Sequence, residues 1–282
     1  QTDHTGGYIG SGVSFADFNG DDIDDLTFGH HAGQLRFYVG NNNPTSSGFQ
    51  ELTLNISNSQ SEVKAVLWAD IDNDGDQDFL VTNRNASNKL WRNDGNMQFF
   101  DISDISGIST QEDTKSYGAS FGDYNNDGFL DLYICNHHTY VDSETNELYQ
   151  NNGDGTFTNV TVLAGVGNGF AQSFQSTFID IDLDGHLDLH VINDRVDYPN
   201  VFYKNNGDGS FTNMATDWEV DLTILAMSSS FSDYDRDGDM DLYVSNGSNG
   251  NYLLRNNLNT HGNFENIAVQ EEVEVGQISW GA

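Results

Sequence analysis

A chain of 282 residues with 36% hydrophobic content can bury a sizeable core, and its length allows one large β domain or two ordinary ones. Its 44 acidic residues against 10 basic ones give a formal charge of −34, which excludes a basic nucleic-acid-binding face and disfavours anionic membranes. One cysteine, Cys135, cannot form an internal disulfide, and no apolar run is long enough to span a membrane. Cys135 lies in an apolar run, Leu132-Tyr133-Ile134-Cys135, and reads as buried filler. The chain begins at Gln1 rather than Met and shows no leader, so it reads as a processed or excised piece.

In chain order, residues 8–60 carry four short β signals: Gly12-Val13-Ser14-Phe15, Leu26-Thr27-Phe28, Leu35-Arg36-Phe37-Tyr38, and a fourth beginning near Phe49. An acidic loop starting at Asp17 separates the first two. The same order returns in residues 61–113, with strands at Ala65-Val66-Leu67-Trp68, Phe79-Leu80-Val81, Lys89-Leu90-Trp91-Arg92 and from Phe99. Residues 114–170 repeat it with Gly118-Ala119-Ser120-Phe121, Leu132-Tyr133-Ile134, Glu147-Leu148-Tyr149-Gln150 and Phe157. Residues 171–223 use Ser176-Thr177-Phe178, Leu189-His190-Val191-Ile192, Val201-Phe202-Tyr203-Lys204 and Phe211. Residues 224–274 use Ser229-Ser230-Phe231, Leu242-Tyr243-Val244, Tyr252-Leu253-Leu254-Arg255 and Phe264. Turns such as Asn151-Asn152-Gly153-Asp154-Gly155 tolerate positive φ and close the hairpins.

Acidic loops begin at Asp17, Asp70, Asp123, Asp180 and Asp233, spaced 53, 53, 57 and 53 residues apart. A fixed period of this length means a repeat architecture, and four antiparallel strands per repeat make an all-β propeller. An aromatic stands two residues before each loop: Phe15, Trp68, Phe121, Phe178, Phe231. Among small neighbours, it is expected to fill the gap where innermost strands crowd a central axis. Gln277-Ile278-Ser279-Trp280-Gly281-Ala282 reads as the first strand of a sixth repeat, residues 275–282, inside one domain spanning 1–282. Either the chain is a piece of a longer polypeptide or another chain supplies the missing strands.

Loop two, Asp70-Ile71-Asp72-Asn73-Asp74-Gly75-Asp76-Gln77-Asp78, shows the chemistry. A hard cation such as Ca²⁺ takes six to eight oxygens, and carboxylates at positions 1, 3 and 5 of a tight loop converge on one point. The carbonyl of Asp76 adds a ligand and Asp78 closes the shell, while Gly75 supplies the positive φ. No bidentate Glu or helix follows, so this is not an EF-hand. Loops two, four and five hold four carboxylates each: Asp70, Asp72, Asp74, Asp78; Asp180, Asp182, Asp184, Asp188; and Asp233, Asp235, Asp237, Asp241. Loops one and three put Asn19 and Asn125 at position 3. Affinity rises with ligand charge, so loops two, four and five are expected to bind tightest and loop one weakest.

The runs Leu148-Tyr149-Gln150-Asn151-Asn152-Gly153-Asp154-Gly155-Thr156-Phe157 and Val201-Phe202-Tyr203-Lys204-Asn205-Asn206-Gly207-Asp208-Gly209-Ser210-Phe211, with the acidic loops, resemble the FG-GAP/VCBS family of integrin α-subunit propellers and bacterial secreted proteins. They are close to the pattern of its cartilage acidic protein-like (ASPIC/UnbV-type) members. The resemblance implies a propeller, usually seven-bladed, here six or seven, with up to five Ca²⁺ in the loops between first and second strands. It also implies extracellular adhesion or binding without catalysis. The family's ligand positions 1, 3, 5, 7 and 9 fall here on Asp17, Asn19, Asp21, Ile23 and Asp25, then on Asp70, Asp72, Asp74, Asp76 and Asp78. They continue on Asp123, Asn125, Asp127, Phe129 and Asp131, on Asp180, Asp182, Asp184, His186 and Asp188, and on Asp233, Asp235, Asp237, Asp239 and Asp241. Loop one departs from the pattern, with Asp22 where Gly is expected.

At the far end of the second strands stand His30 and His31, Asn83 and Arg84, Asn136, His137 and His138, Asn193, Asp194 and Arg195, and Asn246. These are expected to ring an opening that meets a glycan or an extracellular protein. A self-associating subunit of a surface layer or filament is the second reading, with other copies of the chain as partners. A polysaccharide-active enzyme is the third, with His31, Arg84, His137 and Arg195 as its candidates; no triad, phosphate loop or zinc spacing supports it.

Overall fold

Apolar and β-branched runs on either side of each acidic loop become strands, and the loops and Asn-Gly turns join them into hairpins. The computed structural model describes residues 12–41, 48–58, 61–112, 115–137, 145–247 and 250–276. The expected sixth-repeat strand and His138 lie outside the described residues.

The first sheet holds β1 (Val13–Ala16), β2 (Asp25–Gly29), β3 (Leu35–Gly40) and β4 (Phe49–Leu52). The second holds β5 (Glu62–Ala69), β6 (Asp78–Arg84), β7 (Lys89–Asn93) and β8 (Phe99–Asp101). The third holds β9 (Ser116–Gly122), β10 (Asp131–Asn136), β11 (Glu147–Asn151) and β12 (Phe157–Asn159), followed by a one-turn helix, α1 (Thr161–Ala164). The fourth holds β13 (Ser173–Ile179), β14 (Asp188–Asn193), β15 (Val201–Asn205) and β16 (Phe211–Asn213). The fifth holds β17 (Ser228–Ser232), β18 (Asp241–Ser245), β19 (Tyr252–Asn256) and β20 (Phe264–Asn266). Strand order in every sheet is sequential, and the fourth strand begins at the phenylalanine expected for it. These are blades of the β-propeller kind.

The chain divides into two compact units, residues 1–117 with 151–158 and residues 118–150 with 159–282. In the first, Phe18 and Phe37 of the first blade pack with Val66, Phe79, Val81 and Trp91 of the second. Trp68 stacks on Phe18 at 4.9 Å and donates its indole N–H to Thr27 Oγ1 at 3.1 Å. In the second unit, one core joins Tyr133 and Leu148 to Leu189, Val191 and Tyr203, and another joins Ile192 and Phe202 to Leu242, Val244 and Phe264. Cys135 is buried in the former, and burial pushes its thiol up to about 12.

Strand side chains alternate between faces of the sheet, and three of the aromatics before the loops, Trp68, Phe178 and Phe231, lie against the neighbouring blade. Phe178 sits against Gly122, where a Cβ would come within 2.7 Å of its ring, and Phe231 meets His190 and Phe202 of the blade before it. Phe15 is 61% exposed. The innermost strands approach through small residues: Ser120 and Ser176 share a hydrogen bond of 2.8 Å, and a Cβ on Gly118 would strike the Phe174 carbonyl at 2.3 Å.

The asparagines expected around an opening are buried struts. Asn83, Asn136, Asn193 and Asn246 each take an Asn Oδ1 onto their own N–H, from Asn88, Asn146, Asn200 and Asn251. Their side-chain amides donate to the carbonyls of Ser87, Thr145, Pro199 and Gly250. A hairpin turning inward has backbone groups that water cannot reach, and these amides satisfy them. A second set joins blades. Asn151 donates to the Ile71 carbonyl at 2.7 Å, Asn205 to Tyr124 at 2.8 Å, and Asn256 to Ile181 at 3.1 Å.

Two measurements test this packing. Asn205→Ala should lose about 1–3 kcal/mol of stability in urea melts through its stranded partners, while the exposed Asn206→Ala stays within about 0.5 kcal/mol. Cys135 should resist alkylation at pH 8 in the native chain and react once the chain is unfolded.

Candidate metal centre

Each acidic loop bends through two left-handed residues. Position 6 is Gly75, Gly128, Gly185 and Gly238 in loops two to five, and Asp22 adopts the same backbone in loop one at φ 63. The second bend, at position 4, escaped the sequence reading. It falls on Gly20, Asn73, Asn126, Leu183 and Arg236, with φ between 59 and 75. Asn and Gly are signals for it, but Leu183 and Arg236 hide it. Each non-glycine there costs about 1 kcal/mol.

The position-1 carboxylate offsets that cost. Asp70 accepts the N–H groups of Asp74 and Gly75 at 3.1 and 2.9 Å. Asp17, Asp123, Asp180 and Asp233 accept the same pair from their own loops. Position 5 caps position 7: Asp21, Asp74, Asp127, Asp184 and Asp237 accept the N–H of Ile23, Asp76, Phe129, His186 and Asp239.

Position 9 is the first residue of each second strand and is buried in every loop: Asp25, Asp78, Asp131, Asp188 and Asp241. One oxygen of Asp78 takes the Ile71 N–H at 2.9 Å, and the other takes the Asn93 N–H of β7 at 2.7 Å. Asp25, Asp188 and Asp241 bridge loop and third strand in the same way. Burial nonetheless raises Asp78 and Asp188 to about 7, against the lowering effect of those backbone bonds. Burial and neighbouring aspartates raise Asp72 too, and push Asp239 up to about 6.

Positions 1, 3 and 9 converge. Asp70, Asp72 and Asp78 each place an oxygen within 4.8 Å of the others, as do Asp180, Asp182 and Asp188, and Asp233, Asp235 and Asp241. Position 5 is not in these groups. The donor set fits a hard cation: Asp72 Oδ1, Asp182 Oδ1, Asn19 Oδ1 and Asp239 Oδ1 are buried with no hydrogen-bond partner. Three of these four are the third position of their loops. In loop three, Asn125 instead turns inward on itself, accepting the Asp127 N–H and donating to its carboxylate at 2.9 Å each. In loop four, the Lys204 ammonium bonds Asp182 and also Asp184, the latter at 2.8 Å. Burial opposes its charge, but the two carboxylates outweigh burial and hold Lys204 above its usual range.

At the opposite strand ends the side chains form separate local groups. The His30 and His31 rings meet at a tilt with centroids 4.1 Å apart, Arg84 reaches Glu62 at 3.4 Å, and buried Asp194 lies between Arg195 and His137, the latter at 3.5 Å. No helix among the described residues is long and apolar enough to cross a membrane.

Four-stranded blades, each entered through an acidic loop with its carboxylates turned inward, define a blade-repeat protein built around candidate cation sites. The chain belongs to the FG-GAP-like repeat family, whose profile matches residues 17–81, 70–134, 139–191 and 180–244. It is 26% identical to cartilage acidic protein 1 of Xenopus tropicalis over 132 residues, which are 44% of this chain and 20% of that protein. The chain thus spans about a fifth of that relative. Among solved structures it resembles an Agrocybe aegerita lectin that recognises non-reducing terminal N-acetylglucosamine, with a TM-score of 0.53 and 20% identity over 94% of this chain and 69% of the lectin. It also resembles BBS1N, solved in complex with ARL6DN, with a TM-score of 0.55 and 12% identity over 88% of this chain and 66% of that one. At these identities the likeness is one of fold.

Lys204 competes with any ion for Asp182 and Asp184. Lys204→Gln should strengthen terbium binding at loop four roughly three- to tenfold, the scale of a partly screened ion pair, and leave loops two and five unchanged.

Proposed function

We propose that the chain is an extracellular β-propeller recognition module held in shape by calcium, with one ion per acidic loop. The observation that carries this reading is the set of buried, unpartnered oxygens at position 3 beside the buried aspartate at position 9. Ca²⁺ would be held by positions 1, 3 and 9, with position 7 supplying a carbonyl. Bound there, it would neutralise three or four clustered carboxylates and pin the first hairpin of its blade. Loops two and five carry full carboxylate sets without a competing lysine. They are the tightest sites in this reading, and loop three, with Asn125 engaged, is the weakest. Weak, repeated calcium sites suit the millimolar calcium outside cells. Membership of the family, and a relative named as a cartilage protein, support the extracellular setting.

The partner in this reading is a glycan or an extracellular protein, and no catalytic step is assigned. The lectin among the fold neighbours supports a glycan, although its sugar recognition belongs to that protein. The ring is proposed to be larger than five blades. Val13, Phe15, Phe28 and Phe49 stand on the first blade, 55, 61, 39 and 39% exposed. Their counterparts one repeat on, Val66, Trp68, Val81 and Phe99, belong to the core shared with the preceding blade. The same uncovered surface is the observation that favours the second reading, self-association.

Excess chelator should lower the melting temperature by ten degrees or more, because an ion at about ten times its dissociation constant contributes about 1.4 kcal/mol, and the loops add up. An unchanged melt would sink the calcium reading. A glycan array probed with the calcium-loaded chain tests recognition, and light scattering with and without calcium separates a monomer from a self-associating subunit.

A further inference from the structure

One departure from the repeat builds a pocket. The turn between third and fourth strands has five residues in blades two, three and four, eight in blade one and seven in blade five, between Asn256 and Phe264. The blade-five turn is closed by the Asn257 N–H on the Asn263 carbonyl at 3.0 Å, and it carries His261 to the rim. Insertions in a repeat array commonly fall on the binding face. Opposite stands the segment that follows β16. Together they line an open groove of about 640 Å³, within the volume range of small-molecule sites.

A second observation points to the same place. In blades two to five the turn after the fourth strand contains a left-handed residue: Gly107 after blade two, Gly165 after blade three, but Glu219 after blade four, at φ 60. Glycine would adopt that backbone freely, and glutamate is strained there. Glu219 lines the pocket. Glu272 repeats the substitution after blade five, where no strand follows among the described residues.

We infer that this pocket binds a neutral saccharide, an assignment that rests on the recognition reading above and gives it a site. Buried Leu254 and Phe264 form the floor, and half-buried Tyr252 offers a ring for the apolar face of a sugar. Glu219 accepts hydroxyl hydrogens, as does the Glu265 oxygen that Arg255 does not hold, and the Asn257 and Asn263 amides both donate and accept. The Glu219 carboxylate, on a chain of charge −34, repels anionic sugars, while the Glu265 charge is paired with Arg255. Neither carboxylate belongs to the clusters of three metal-ligating side chains found among the described residues.

The calcium-loaded chain is titrated by saturation-transfer NMR and calorimetry with methyl glycosides of glucose, galactose, mannose and N-acetylglucosamine, and with sialyllactose. At least one neutral glycoside should bind, and sialyllactose should not. Glu219→Gly should keep or raise the melting temperature, since glycine suits the backbone, yet weaken binding at least tenfold. Asn263→Trp, which fills the space, should do the same to binding. Retained affinity in Glu219→Gly overturns the pocket and leaves recognition standing elsewhere on the chain. Preference for the anionic sugar overturns the assigned chemistry, and silence across the panel overturns both the pocket and the glycan reading.

Discussion

A buried carboxylate at the end of each acidic loop is the constraint from which the blades are built. Asp25, Asp78, Asp188 and Asp241 start the second strand, hold the loop's entry with one oxygen and the third strand with the other. Removing such a group from water costs several kcal/mol, which two charge-assisted hydrogen bonds only partly offset. The residual shows in the raised protonation range of Asp78 and Asp188. A nearby cation removes that residual, so the geometry that makes a stiff hairpin also makes a place for an ion. In loop four the chain's own Lys204 supplies part of that charge.

Between blades the logic is steric. Innermost strands approach backbone to backbone, so Gly118 and the serines at 120 and 176 stand where any larger group would collide. Bulk is carried on the sheet faces by one aromatic per blade. Trp68, Phe178 and Phe231 fill the wedge to the blade before. Contacts of this kind favour local assembly, as in other repeat arrays, where stability is approximately a sum over neighbours.

Much of this was legible in the residues. The 53-residue period, the strand-starting phenylalanines and the loop positions needed only spacing and period-two alternation. Other features had no local signal. Leu183 and Arg236 in left-handed backbone contradict their own propensities, because Asp180 and Asp233 hold the loop from outside those positions. The polar ends of the second strands looked like solvent-facing recognition groups. Asn83, Asn136, Asn193 and Asn246 are instead buried, and only the pairing with a second asparagine five to ten residues on reveals it. The pocket in blade five was visible in sequence only as two extra residues. Its meaning depended on Glu219, whose backbone angle no composition discloses.

The cross-blade amides carry one more consequence. Asn151, Asn205 and Asn256 grip the carbonyls of Ile71, Tyr124 and Ile181, and each of those residues lies between the first and third positions of an acidic loop. A loop therefore cannot relax without pulling on the side chain of its neighbour. Under the calcium proposal, filling one loop would stiffen the anchor point of the next, and emptying it would loosen that point. Occupancy along the array would then be a collective property, and a drop in the surrounding ion level would be felt as a transmitted slackening rather than as independent local losses.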